Sequence, residues 1–149
     1  MSEKEIEGLL ATGSIRRVVR DHHTARMELE AAHRHIRAAE MIQEIDPTLA
    51  FTALYDAMRK SITAHMRSSG FRVGNGPGAH AKTVAYARAA LDRLDVAETL
   101  EEFDALRLLR NQSEYDALFI DPNETAQAHK HAVLLIKAVE DDLEGRPTS

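Results

Sequence analysis

Two Asp-Pro pairs, Asp46-Pro47 and Asp121-Pro122, constrain this chain more than any other feature, because each reads as a helix start and each precedes a long apolar stripe. The Asp side chain caps free N–H groups, and proline at the first helical position gives up an N–H that would have no partner there. After the first pair, Leu54, Ala57, Met58 and Ile62 mark one face of a helix running to about residue 68, with Gly70 placed to cap its end. After the second, Glu124 completes a capping box, and Ala128, Ala132, Leu135, Val139 and Leu143 mark a helix ending near Gly145. Upstream, Ala25, Leu29, Ala32, Ile36, Ala39 and Ile42 step by four and three over about residues 23–44. Val84, Ala87 and Leu91 place a helix over about residues 79–91, and Phe103, Leu106 and Leu109 place another over about residues 98–115. The spacing predicts an all-α, up-and-down bundle of about five main helices.

The remaining segments are connectors. Ser2 with Glu5 has capping-box spacing and opens a short helix through Ile6, Leu9 and Leu10 that ends near Gly13. Residues 13–22 show no sustained period and are expected to form a connector holding at most a turn of helix. Residues 70–78, GFRVGNGPG, contain four of the seven glycines and predict a flexible loop. The loop lacks phosphate-loop spacing and follows a helix rather than a strand, so it is no nucleotide fingerprint. No segment has the alternation of a strand, and no repeat period is visible. A length of 149 residues suits one domain, residues 1–149, with residues 1–22 as short helix and connector and residues 23–144 as the bundle.

Composition excludes several function classes. With no cysteine, thiolate zinc sites, iron–sulfur clusters and Cys nucleophiles are out of reach. The acidic residues of MSEKEIEGLL do not fit a signal peptide, and no apolar run is long enough to span a bilayer; a soluble, cytoplasmic protein is expected, with no membrane partner. The net charge of −5 gives no global attraction to nucleic acid, so a polyanion would need a local basic patch. The densest basic cluster is Arg16, Arg17, Arg20 and Arg26 with His22 and His23, whose role the sequence leaves open. His33 and His35 stand two apart, as do His129 and His131, so neither pair has the spacing of a helical zinc site. No metal and no cofactor are expected.

The chemistry concentrates in LRLLRNQSEY, residues 106–115. On a helix, Arg110, Ser113 and Glu114 are neighbours, and Asn111 and Tyr115 share the adjacent strip. A guanidinium, an amide, a carboxylate and a phenol therefore form one polar patch beside core-type leucines. From spacing alone, a plain Arg110–Glu114 surface ion pair is the default reading.

Arg110-Asn111 followed by Tyr115, with the helix YDAMRKSI over residues 55–62, the Gly70-Phe71-Arg72 turn and the His80 helix, resembles the HEPN domain, a helical bundle of prokaryotic toxin–antitoxin, stress and defence systems. The resemblance covers about residues 25–143. HEPN ribonucleases carry an Arg, a polar neighbour such as Asn, and a His a few positions on; here Tyr115 stands where the His falls. The resemblance implies an Arg that holds phosphate, a polar residue that orients it, a site completed by a second subunit, and no metal, because RNA supplies its own 2′-OH. It assigns Arg110 and Asn111 to the ligand, with Glu114 and Tyr115 beside them and Arg59, Lys60 and His80 as further contacts. Arg110, Asn111 and Tyr115 are also the candidates for any catalysis. A phenol, with a pKa of about 10, is a poor general base near neutrality, so the ribonuclease motif is incomplete.

The expectation is thus a HEPN-like homodimer binding RNA or a nucleotide-like phosphate ligand, with an antitoxin or a nucleotidyltransferase as partner. The alternatives are a non-catalytic dimeric interaction or adaptor protein, and an active metal-independent ribonuclease.

Overall fold

The computed structural model describes residues 1–115 and 119–146, and the side chains of all of these except residues 112–115. Among the described residues the chain forms six helices: α1 (Glu3–Ala11), α2 (His22–Ile42), α3 (Pro47–Ser69), α4 (Ala79–Ala90), α5 (Ala97–Tyr115) and α6 (Pro122–Glu144). The protein is an all-α bundle. Four of the helix starts are capped by a side chain: Ser2 Oγ accepts from Glu5 N, Asp21 from Thr24 N, Asp46 from Leu49 N and Asp121 from Asn123 N. Each side chain satisfies an N–H that the first turn leaves open.

α3 is the central element, packed against α2 along one side and α6 along another, with α4 and α5 closing the rest. Its stripe of Leu54, Ala57, Met58 and Ile62 is buried as expected, but so are Ser61, Ala64, His65, Ser68 and Ser69. Small side chains on every face let neighbouring helices approach, which one apolar stripe does not reveal. Around α3 the largest fully buried side chains include Tyr86, Phe51, Phe103, Leu91, Leu100 and Leu106. Each such apolar side chain contributes about 1.5–3 kcal/mol relative to exposure.

The connectors differ from expectation. Residues 13–22 hold no helical turn before α2; instead Arg16–Arg17 (β1) pairs antiparallel with Phe71–Arg72 (β2), inside the segment read as a flexible loop. Ile15 and Phe71 are both buried and anchor the two segments, and Val18 N donates to Gly70 O at 2.9 Å. Two-residue strands are too short to show alternation, which is why the sequence carries no trace of them. α1 also belongs to the same core: Ile6 is buried, and Ser2 N donates to Ala89 O of α4 at 2.8 Å. No helix among the described residues is long and apolar enough to cross a membrane.

Candidate functional site

Tyr55, Arg59, Thr63 and Arg67 recur every four residues along α3, so they share one face of that helix. That stripe floors a cavity of about 750 Å³. The lining also includes His80 and Thr83 from α4, Phe103 from α5, Phe71 and Arg72 from β2 with Val73 and Gly74 after them, and the carboxylates of Asp21 and Glu28.

At one end of the stripe the side chains form a chain of contacts. Tyr55 Oη lies 3.0 Å from His80 Nδ1, and His80 Nε2 lies 3.1 Å from Asp104 Oδ1. The carboxylate can only accept, so His80 Nε2 carries a proton and Nδ1 of the neutral ring accepts from the Tyr55 hydroxyl. Burial holds the His80 pKa below the ordinary histidine value, against the pull of Asp104. Burial likewise raises the Tyr55 phenol, with the Arg110 guanidinium acting in the opposite direction. Arg110 Cζ sits 5.3 Å from the Tyr55 ring centroid, in cation–π range. Phe103 packs against both rings, with centroids 5.3 Å from Tyr55 and 5.0 Å from His80.

The site residues expected from the sequence are therefore partly brought together. Arg110 and His80 both contact Tyr55, and Arg59 lies one turn along α3, 3.7 Å from Asp56. Lys60 projects elsewhere: with burial it depresses the pKa of His35 on α2, and it does not line the cavity. Asn111 is half-buried on α5 next to Arg110. The side chains of Ser113, Glu114 and Tyr115 lie outside the described residues. Tyr55, Asp104, Arg67 and Glu28 were not singled out by sequence reasoning. The four-residue recurrence of Tyr55, Arg59, Thr63 and Arg67 along α3 is the signal that could have found the first and third.

Three further histidines bridge helices. His33 Nε2 meets Glu140 Oε1 and His129 Nε2 meets Glu40 Oε2, each at 2.9 Å, so α2 and α6 exchange two reciprocal contacts. His131 Nδ1 is 2.9 Å from Thr99 Oγ1, joining α6 to α5. Among the described residues no group of three or more His, Asp or Glu is arranged to hold a metal ion. In the basic cluster, Arg17 is engaged with Glu7 at 3.2 Å and lies over the Phe71 ring at 5.5 Å. No family model, curated protein or solved structure matches the chain.

Proposed function

We propose that this chain is a HEPN-like domain that binds RNA or a nucleotide-like phosphate ligand at the cavity floored by α3, as a homodimeric component of a toxin–antitoxin or stress system. One observation supports the reading above the rest: Arg110 lies against Tyr55 at the end of a cavity that also carries Arg59, Arg67 and Arg72. In an acidic chain this is a local concentration of guanidinium groups, set beside Asp21, Glu28 and Asp56, and guanidinium is the group whose fork geometry matches phosphate. An antitoxin or nucleotidyltransferase is the partner this reading carries with it.

The test is binding of single-stranded RNA and nucleotides by purified protein in EDTA at low salt, beside Arg110→Ala. Arg110→Ala weakens binding and lowers the salt dependence, with a stability loss on the order of 1 kcal/mol from the lost contact with Tyr55. Wild type shows little or no cleavage in EDTA, because position 115 offers a phenol in place of an imidazole. Absence of any binding at low salt would refute the reading. Strong cleavage abolished by both Arg110→Ala and Tyr115→Phe would place the protein among metal-independent ribonucleases.

A second reading, a non-catalytic dimeric adaptor, draws on the exposed apolar side chains Met41, Ile45, Leu49 and Phe119.

A further inference from the structure

Tyr55 and His80 both line the cavity, and the hydrogen bond between them can run in either direction. A carboxylate only accepts, so the Asp104 contact keeps a proton on His80 Nε2 in both charge states of the ring. Neutral His80 accepts from the Tyr55 hydroxyl at Nδ1. A second proton on the ring makes Nδ1 a donor, Tyr55 Oη becomes its acceptor, and the hydroxyl hydrogen must then point elsewhere. Among the described residues Tyr55 Oη has no hydrogen-bond partner besides His80, so the turned hydrogen finds no acceptor there. An anion in the cavity supplies one. Arg72 is exposed on the same lining and has no ion pair among the described residues, which leaves its guanidinium open to that anion.

We propose that phosphate binding in this cavity is coupled to protonation of His80, which turns the Tyr55 hydroxyl from the imidazole to a phosphate oxygen of the ligand. The proposal rests on the phosphate-binding reading above and adds the regulation of that site. The charged and titratable groups that act on the pair come from two helices. From α5, Asp104 draws the proton onto His80 while Arg107 opposes it, and from α3, Asp56 and Arg59 act on Tyr55 together with Arg110 and Arg107 of α5. Burial, with Arg107, keeps the ring neutral in the free protein near pH 7. A bound phosphate adds negative charge beside the ring and an acceptor for the released hydroxyl, and both favour the imidazolium. A ligand that prefers the protonated form raises its proton affinity and by reciprocity binds more tightly as the pH falls.

The experiment is isothermal titration calorimetry of rU15 and of UMP into wild type, His80→Gln and Tyr55→Phe, in EDTA at low salt and at pH 7.5, 6.5 and 5.5. Each titration is run in two buffers of different ionisation enthalpy, so that proton uptake is read with affinity. Gln keeps a donor for Asp104 and an acceptor for Tyr55 but takes up no proton. From pH 7.5 to 5.5 wild type gains about threefold more affinity than His80→Gln, and at the midpoint of that gain it takes up about 0.3 proton more per site. Tyr55→Phe loses the excess gain. The remaining histidines and the titrating phosphate of UMP are common to all three proteins, so they cancel in the difference. By NMR, saturating rU15 or UMP moves the titration of the wild-type His80 ring to higher pH, a readout that needs no variant to fold. Equal gains in wild type and His80→Gln, the whole excess kept in Tyr55→Phe, or a His80 titration unmoved by bound ligand overturns the coupling and leaves phosphate binding standing. If neither ligand binds wild type at any of these pH values, both readings fall.

Discussion

His65 shows how far a single proton is decided by its surroundings. Its Nδ1 lies 2.8 Å from Tyr86 Oη and its Nε2 2.8 Å from Asp142 Oδ2, while Arg146 Nη2 is 2.9 Å from both Nε2 and that carboxylate oxygen. Arg146 can only donate and Asp142 can only accept, so the neutral ring gives its Nε2 proton to Asp142 and takes one from Tyr86. Arg146 then serves Asp142 and Ser69. Burial holds the His65 pKa below 6.5 despite Asp142, and burial pushes the Tyr86 phenol up to about 12. A histidine with a depressed folded pKa leaves the unfolded chain binding the proton first as the pH falls. Its stabilising contribution is therefore complete above about pH 6.5 and is lost as the pH drops below that value. His80 is shifted in the same direction and acts with the same sign. Urea unfolding between pH 7.5 and 5.5 is expected to show a larger loss of stability in wild type than in His65→Gln, which keeps a donor and an acceptor but does not titrate. Equal losses would show that His65 takes up its proton in the folded protein as readily as in the unfolded chain.

At the scale of helices, caps and stripes were legible because they are local. Asp46, Asp121 and Gly70 perform the roles their positions announce, and the apolar faces of α2, α3, α4, α5 and α6 point inward. What the sequence withheld depends on pairs of distant residues. Tyr55 meets His80 across 25 positions and His80 meets Asp104 across 24, so no period could join Arg110 to His80 through Tyr55. Periodicity says which face of a helix is buried and not which neighbour buries it, and so the cavity and the Glu28–Arg67 ion pair in its lining were invisible. The β1–β2 pair is the same failure in miniature. Gly70 connects the two kinds of information: it ends α3 with φ +83°, and a Cβ there would stand 3.0 Å from Val18 O, the backbone of the segment just after β1. Gly70→Ala therefore combines a left-handed backbone with a clash against a carbonyl that cannot swing away as a side chain would. The expected cost is about 1–3 kcal/mol, read as a lower urea midpoint at unchanged slope. A stability equal to wild type would mean that β1 is free to move away from the end of α3.

For the whole molecule, the open question is what covers its most exposed apolar corner. Met41 (81% exposed), Ile45 (85%) and Leu49 (55%) cluster where α2 turns into α3, and Phe119 (68%) joins them because Ile120 N donates to Thr48 Oγ1 at 3.0 Å. A two-fold contact through this corner is the interface on which the proposed homodimer can be tested. Light scattering at micromolar concentration is expected to give twice the chain mass for wild type. An Ile45→Glu/Phe119→Glu variant is expected to give a single chain. Neither side chain supports the fold of one subunit, so the dilute variant should unfold within about 0.5 kcal/mol of dilute wild type. At higher concentration the two should diverge, because association stabilises only the wild type and makes its melting temperature rise with concentration. A wild type that remains monomeric, with a melting temperature independent of concentration, would exclude both the proposed homodimer and the dimeric adaptor, and would leave each cavity to act alone.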